Sequence, residues 1–171
     1  MNNYVRTDLE QISITACFTG HRFIADKDRD IVFSLTEKAI EEFYAKGYRR
    51  FFCGAAIGFD MLAAEAVLHM KTIYDDLRLI LAIPCSEQYA KWADSDVKKW
   101  KLLCEKADRV DVLSEFYYDG CMEVRNRYMV DRSSLCICWL KSVKKGGTLQ
   151  TVHLASENGL SIHNLAMEVH H

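Results

Sequence analysis

Short apolar runs alternate along the chain with longer stretches in which apolar residues recur every three or four positions. The short runs have the length of β-strands, and the longer stretches have the period of amphipathic α-helices. Regular alternation of strand and helix is typical of a parallel sheet covered by helices. The pattern predicts six strands at residues 14–18, 50–53, 77–83, 108–113, 135–140 and 161–165.

The longer stretches predict helices over 30–44, 59–74, 87–107, 122–132 and 148–158, the third of them broken near 94–96. Gly47 is expected to end the first of these helices. The helix over 59–74 is apolar almost all round, so we expect it to lie between the sheet and another layer or a partner subunit. A homodimer formed through this helix is the corresponding expectation for quaternary structure.

Most strands are continuously apolar, as expected of a parallel sheet that is buried on both faces. The predicted fold is a Rossmann-like three-layer α/β/α sandwich with a mostly parallel sheet. A chain of 171 residues suits one domain over 1–171. We expect flexible ends at 1–11 and 166–171, and interpret His170 and His171 as the remnant of a tag.

The charge and the cysteine content indicate which kinds of ligand the protein could bind. The formal net charge is −2, so the chain lacks the excess of basic residues that a dedicated DNA or RNA binder has. Small anionic ligands remain compatible with this charge. The longest apolar runs are too short to span a membrane, and the polar start is unlike a signal peptide, so we expect a cytoplasmic protein. Cys136 and Cys138 share one face of a strand without a second matching pair, which favours core packing over a metal site.

Ligands of open α/β sheets bind beyond the carboxyl ends of the strands, so the turns that leave the strands are the candidate sites. Three of these turns contain glycine. The first is Thr19-Gly20-His21-Arg22, in which the glycine permits close backbone approach and the two basic side chains offer donors to phosphate or carboxylate. A surface turn with solvated charges is the alternative interpretation.

The second turn runs from Gly54 to Asp60 and opens the apolar helix. Gly54, Ala55 and Gly58 are expected to point backbone N–H groups at an anion, aided by the helix dipole. Asp60 is interpreted either as the cap of this helix or as a contact to a ribose hydroxyl. Glu65 lies within the same helix and is either a site carboxylate or the partner of His69 in an exposed pair.

The third turn, Gly146-Gly147-Thr148, combines backbone donors with a hydroxyl and is preceded by Lys144 and Lys145. Further candidates for ligand binding lie on the helices between the turns. They are Gln88 and Trp92, four residues apart and suited to a polar and stacking contact with a base, and Arg125, Asn126 and Asp131 in a charged segment before the fifth strand.

Taken in order, these pieces resemble the YpsA-like family of the SLOG superfamily. That Rossmann-like group also includes the LOG phosphoribohydrolases and DNA-processing protein A. The resemblance runs over nearly the whole chain through the three glycine turns, Ile83-Pro84 with Gln88 and Trp92, and the segment from Arg125 to Ser133. It implies a nucleotide, ADP-ribose or an NAD-related compound as the ligand, without a certain cofactor.

The chain departs from the LOG branch at the third turn. The LOG motif P-G-G-x-G-T-x-x-E carries a catalytic glutamate, whereas this chain reads Gly146-Gly147-Thr148-Leu149-Gln150-Thr151. Two smaller departures are Ser134, where relatives often have aspartate, and the segment 23–28, which is short and lacks a proline.

Three functions follow as hypotheses. The first is a sensor or regulatory protein that binds a nucleotide-derived ligand. The second is a nucleotide N-glycoside hydrolase, in which Glu65 or Asp60 assists the departing base and Arg22 holds phosphate. The third is a nucleic-acid-processing adaptor, which the acidic net charge disfavours.

Overall fold

A computed structural model describes residues 3–141, 144 and 146–169, with side chains from residue 8 onward. Within this part six strands form one sheet, in the order β4-β3-β2-β1-β5-β6, and every pair of neighbours is parallel. The α/β Rossmann-like prediction is confirmed. The strands are β1 (Thr15–Gly20), β2 (Arg50–Cys53), β3 (Arg78–Ile83), β4 (Arg109–Val112), β5 (Leu135–Trp139) and β6 (Ser161–Asn164).

Six α-helices accompany the sheet, and a 3₁₀ turn, Leu165–Glu168, follows the last strand. Four of the helices follow the predicted pattern, with bounds shifted by a few residues. In place of the predicted segment 87–107 there is a series of turns and then one helix from Asp94. The helices are α1 (Asn3–Ser13), α2 (Asp26–Ala45), α3 (Phe59–Lys71), α4 (Asp94–Lys106), α5 (Cys121–Asp131) and α6 (Gly147–Glu157).

The beginning of the chain differs from the prediction of a flexible end, because α1 occupies residues 3–13. Leu9 and Ile12 share one face of this helix, where Leu9 is largely exposed and Ile12 is half-buried. The 3₁₀ turn likewise occupies part of the end predicted to be flexible. Lys145 and the two closing histidines lie outside the described residues.

Alternating side chains of the four central strands, β1, β2, β3 and β5, enter two separate cores. The larger core holds Phe18, Phe51, Leu81 and their neighbours beneath α2, α3 and α4. The smaller core lies beneath α5 and α6 and includes Cys136 and Cys138, both fully buried. The interpretation of these cysteines as core residues is confirmed.

The apolar helix α3 is covered by its own chain. It contacts strands β1, β2 and β3, and the helices α2 and α4 both pack against it. Most of its residues, from Phe59 to Met70, are buried on these three sides. Its apolar surface therefore does not require a partner subunit, which removes the reason for expecting a homodimer through this helix.

The end of α2 agrees with the prediction at Gly47. This glycine has a φ of 103°, and the N–H groups of Gly47 and Tyr48 donate to the carbonyls of Tyr44 and Phe43. Those two bonds form a Schellman motif, which satisfies the last carbonyls of the helix. In the described part of the chain, no helix is both long and apolar enough to cross a membrane.

Candidate functional site

A cleft of about 420 Å³ opens at the carboxyl end of β1. The chain builds the sheet outward from β1 to β4 and then returns to place β5 on the other side of β1. The loops that leave β1 and β5 diverge at this switch point, where open α/β sheets bind ligands. The volume lies within the roughly 300–1,000 Å³ of ordinary small-molecule sites.

The first and second glycine turns are interlocked. The N–H of Phe59 donates to the carbonyl of His21 at 3.1 Å. A Cβ on Gly20 would lie 2.4 Å from the Phe59 ring, and one on Gly58 would lie 2.2 Å from the carbonyl oxygen of Arg22. The glycines therefore allow the two turns to pack backbone against backbone, and the second turn fixes the position of the first.

Arg125 holds the second turn from below. Its Nη1 donates to the carbonyl of Gly54 at 2.7 Å, and its Nε donates to the side-chain oxygen of Asn126 at 2.9 Å. A Cβ on Gly54 would lie 2.5 Å from that Nη1. Burial lowers the pKa of the guanidinium, and the nearby carboxylate of Asp60 opposes the shift. Arg125 lines the cleft, but its principal contacts are to the protein.

Two N–H groups of the second turn have acceptors within the protein. The N–H of Ala56 donates to Oδ2 of Asp60 at 3.3 Å, and that of Phe59 donates to the carbonyl of His21 at 3.1 Å. Ala55 holds a left-handed φ of 53°, a conformation that is strained for a residue with a side chain. Ala56 and Asp60 line the cleft, whereas Gly54, Ala55 and Gly58, which the sequence predicts to hold an anion, do not.

Asp60 places its carboxyl in the wall of the cleft with only 8% of the residue exposed. Burial raises its pKa to about 6, although Arg125, the Ala56 N–H and Arg22 favour the charged form. A carboxyl with that pKa exchanges its proton near neutral pH, as an acid or base catalyst must. Within the described residues no cluster of His, Cys, Asp and Glu is arranged to hold a metal ion.

His21 accepts a hydrogen bond at Nε2 from the N–H of Lys141, at 3.0 Å. An accepting Nε2 carries no proton, so the ring is neutral with its proton on Nδ1. Burial and the charge of Lys141 both lower the pKa of this histidine, which favours the same neutral form. His21 therefore offers one neutral donor to the cleft and ties the first turn to the end of β5.

The third turn supplies the free donors of the site. Gly146, Gly147 and Thr148 line the cleft, and α6 begins at Gly147. The first N–H groups of an α-helix have no acceptor within the helix, and Gly146 has no side chain with which to cap them. Arg22 and Lys144 line the same cleft, so donors and positive charge converge there.

One face of α5 completes the cleft. Met122, Arg125, Asn126 and Met129 line it with helical spacing. The two methionines were missed because only the charged residues of this segment attract attention in the sequence. Their spacing of three and four from Arg125 and Asn126 is the signal that identifies them. The sequence also gave no sign of four further lining residues, Phe18, Ala56, Leu149 and Thr151.

Glu65 does not belong to the site. Its carboxylate lies 3.6 Å from Nζ of Lys99 on α4, on the solvent side of α3. The expected pair with His69 is also wrong, because His69 Nδ1 lies 2.8 Å from the carboxylate of Glu37 on α2. The helical period groups these residues on one face but does not show which neighbour that face meets.

Asp131 lies at the far end of the molecule. It is the last residue of α5 and lines a second cavity with Arg50 at the amino-terminal ends of the strands. A helix of 11 residues is about 16 Å long, so its two ends face opposite edges of the sheet. Of these two candidate ligand-binding residues, Asn126 therefore lines the cleft and Asp131 does not.

Gln88 and Trp92 do not form a face for a base. The side chain of Gln88 is buried, where its Nε2 donates to the carbonyl of Gly54 at 3.0 Å and its Oε1 accepts from Trp100 at 2.9 Å. Trp92 packs against the larger core. Gln88 therefore supports the second turn together with Arg125, and neither residue lines the cleft.

The chain is similar to known proteins in family, sequence and fold. The family model YpsA, described as the YspA SLOG family, matches residues 20–168. A UPF0398 protein from Halalkalibacterium halodurans is 29% identical over 116 residues, which cover 67% of this chain and 57% of the relative. The chain thus matches little more than half the length of that relative.

Two solved structures share the fold. DNA processing protein A from Helicobacter pylori, which binds single-stranded DNA, has a TM-score of 0.59 at 18% identity, over 95% of this chain and 73% of the other. The Streptococcus pneumoniae protein of the same name has a TM-score of 0.60 at 15% identity, over 88% of this chain and 49% of the other. Since the family model spans most of the residues, including the glycines of all three turns, the chain belongs to the YpsA family of SLOG proteins.

Proposed function

We propose that the cleft binds a nucleotide or nucleotide-derived ligand, such as a nucleoside phosphate, ADP-ribose or an NAD-related compound, and that the protein acts as a sensor or regulator. The observation that carries this proposal is the open amino terminus of α6, which faces Arg22 and His21 across one cleft. The family supports a function related to nucleotides or nucleic acids.

The phosphate is assigned to the third turn. Backbone N–H groups at Gly147 and Thr148, the Thr148 hydroxyl and the helix dipole all favour a negative group there. Arg22 is exposed and is free to form a paired contact with phosphate oxygens. A charge-assisted hydrogen bond of this kind contributes about 1.5–3 kcal/mol, which corresponds to roughly tenfold to a hundredfold in affinity.

The base is assigned to the face of α5. Met122 and Met129 give this wall an apolar, adaptable surface, and Asn126 between them offers an amide for hydrogen bonding. Leu149 of α6 adds apolar surface to the cleft. An apolar wall with one amide, opposite a cationic end, suits a ligand with a base at one end and phosphate at the other.

A second candidate function is hydrolysis of an N-glycosidic bond, and Asp60 is the observation that favours it. Its pKa of about 6 leaves a fraction of the carboxyl protonated near neutral pH, when it can donate a proton to a departing base. Water would then add to the sugar carbon. With Glu65 outside the cleft, Asp60 is the remaining carboxylate of the two that the sequence offers for this role.

Single-stranded nucleic acid is a third ligand to test. The net charge disfavours it, but binding depends on local charge, and Arg22, Arg125 and Lys144 line this cleft with one acidic residue, Asp60. A fold neighbour that binds single-stranded DNA keeps this partner in consideration. An oligonucleotide would use the same phosphate donors, with a stronger dependence on salt because it carries several charges.

A thermal-shift titration tests the proposal. Probes are nucleoside 5′-monophosphates, NAD, ADP-ribose, inorganic phosphate and a single-stranded oligonucleotide. A ligand at a hundred times its dissociation constant adds about 2.7 kcal/mol to the free energy of unfolding. We expect at least one nucleotide to stabilise the protein more than phosphate alone, and Arg22→Gln to reduce the shift.

The matched control is Arg127→Gln, which removes the same charge from an exposed position on α5. It should leave the shift unchanged. Flat curves with every nucleotide would overturn the proposal, and a shift with the oligonucleotide alone would replace it by the nucleic-acid function. Release of free base, lost in Asp60→Asn and kept in Glu65→Gln, would establish the hydrolase.

A further inference from the structure

A second cavity, of about 340 Å³, lies at the amino-terminal ends of the strands, on the edge of the sheet opposite the nucleotide cleft. It is formed between α1, the first residues of β1 and β2, and the end of α5. The proposed function does not use it. Its lining is mostly charged and polar, and consists of Asp8, Gln11, Ile12, Thr15, Arg50, Asp131 and Arg132.

Arg50 carries a buried donor that lacks an acceptor. Its Nε is shielded from solvent and has no hydrogen-bond partner among the described residues. A buried N–H without an acceptor costs about 1–3 kcal/mol, so such groups in native proteins ordinarily meet a water, an ion or a ligand. Burial and the neighbouring charge of Arg109 also lower the pKa of Arg50, which a bound carboxylate would oppose.

The acid nearest this group is already engaged. Asp111 accepts hydrogen bonds from Nε and Nη2 of Arg109, both at 2.9 Å, and from the hydroxyl of Tyr128 at 2.7 Å. These three donors occupy both carboxylate oxygens. Asp111 therefore forms its hydrogen bonds with Arg109 and Tyr128, and acts on the guanidinium of Arg50 through its charge without accepting a hydrogen bond from it.

Arg132 is the second cation of the cavity. Its guanidinium carbon lies 3.7 Å from the centre of the Tyr128 ring, and its Nη1 donates to the Tyr128 carbonyl at 3.1 Å. Stacking fixes the plane of this group beside the cavity. Arg50 and Arg132 thus line this cavity as two cations, one from β2 and one from the end of α5.

Two carboxylates line the same space. Asp8 comes from α1 and Asp131 from the last position of α5, and neither forms an ion pair in the part of the chain that the structure describes. A simple anion on Arg50 would meet both of them. A molecule with separate negative and positive groups would satisfy both the arginines and the aspartates.

We propose that this cavity binds a small zwitterion of the α-amino acid class. Its carboxylate lies on Arg50 and Arg132, and its ammonium group lies on Asp131 and Asp8. Paired contacts between a guanidinium and a carboxylate are the strongest polar contacts that such a ligand can form. The volume leaves room for a side chain, beside which Gln11 offers an amide.

Isothermal calorimetry of the full chain tests this. The probes are the free L-amino acids, their primary amides, which lack the carboxylate, their N-acetyl derivatives, which lack the ammonium group, and inorganic phosphate. We expect at least one free amino acid to bind, and its amide and N-acetyl derivative to bind at least about tenfold more weakly, since each lacks one charged contact.

Two variants locate the site. Arg50→Gln and Asp131→Asn should each weaken binding about tenfold or more, and Asp131 is exposed, so its variant tests the site without disturbing the core. The control Asp119→Asn makes the same change in the loop before α5. Binding of no amino acid, equal binding of the N-acetyl derivatives or of phosphate, or undiminished binding in both variants would each overturn the proposal.

Discussion

Arg125 donates a hydrogen bond of 2.7 Å from Nη1 to the carbonyl oxygen of Gly54, across 71 positions of the chain. Gln88 donates to the same oxygen at 3.0 Å. This junction joins α5 to the loop after β2, and that loop in turn supports the first glycine turn. The geometry of the cleft therefore depends on a charged residue whose main contacts are internal.

Replacement of Arg125 by glutamine should destabilise the protein and raise the pKa of Asp60. Loss of the charged hydrogen bonds is expected to lower the free energy of unfolding by about 3 kcal/mol. Removal of the cation should also raise the pKa of Asp60 further, since Arg125 now opposes that shift. Urea unfolding and an NMR titration of the Asp60 carboxyl measure the two effects.

Arg127→Gln is the control for that variant. It lies on the exposed side of the same helix, so its unfolding free energy should stay within about 0.5 kcal/mol of the parent. Equal destabilisation by the two substitutions would contradict the supporting role of Arg125.

Gly58→Ala should disrupt the contact between the first two turns. The new Cβ would lie 2.2 Å from the Arg22 carbonyl oxygen at a backbone φ of 91°, so both a clash and backbone strain oppose it. We expect a loss of about 3 kcal/mol or more. Gly159→Ala isolates the strain, because its φ is 80° with no atom within 4 Å of the added Cβ, and should lose only about 1 kcal/mol. Equal losses, measured by chemical denaturation, would show that the turns are not in contact.

The burial of Asp60 predicts a definite dependence of stability on pH. Its pKa is about 6 in the folded protein and 3.8 by reference, so the folded state binds this proton more tightly than the unfolded state. The contribution of Asp60 to the free energy of unfolding is fully present below about pH 4 and falls as the pH rises from about 4 to 6. Above that interval it stays at its lower value. The total change is at most about 3 kcal/mol.

Comparison with Asp60→Asn separates this carboxyl from the others. The free energy of unfolding of the parent minus that of the variant should decrease across this interval of pH. An increase instead would mean that ionised Asp60 is stabilised by Arg125 and Arg22 more than burial disfavours it.

Glu65→Gln should leave ligand binding unchanged. The ion pair with Lys99 is at the surface, so its loss should change the unfolding free energy by less than about 1 kcal/mol.

Thr148→Val removes a hydroxyl from the cleft at nearly constant volume and should weaken nucleotide binding by about tenfold. Calorimetry measures nucleotide affinity in both variants. If Glu65→Gln weakened binding and Thr148→Val did not, the ligand would have to lie beside α3 and α4.

The fold was accessible from the sequence because the central strands β1, β2, β3 and β5 are apolar runs between polar turns. Helix α1 was missed, although Val5, Leu9 and Ile12 follow one another at helical spacing. The candidate turns were also accessible, because Gly20, Gly58 and Gly147 follow or open predicted elements. The sequence did not show that the second turn is bonded to other parts of the protein, because the hydrogen bond from Arg125 to Gly54 depends on the tertiary fold.

The misplaced residues have physical reasons. Glu65 and His69 share a helix face, but α2 and α4 both reach that face and supply separate partners. Asp131 could have been placed correctly from topology alone. In a parallel α/β sheet the end of a helix returns to the amino-terminal edge, so the last residue of α5 lies away from a site at the carboxyl edge.

The binding of a nucleotide at the start of α6 is tested most directly by an NMR titration of the backbone amides with a nucleoside 5′-monophosphate, beside the same nucleoside without phosphate. We expect the monophosphate to shift the amide signals of Gly147 and Thr148 most strongly, with smaller shifts for Gly20 to Arg22. The nucleoside alone should leave the two α6 signals nearly unchanged. Saturable shifts confined to other surfaces, or none at any concentration, would contradict binding at this position.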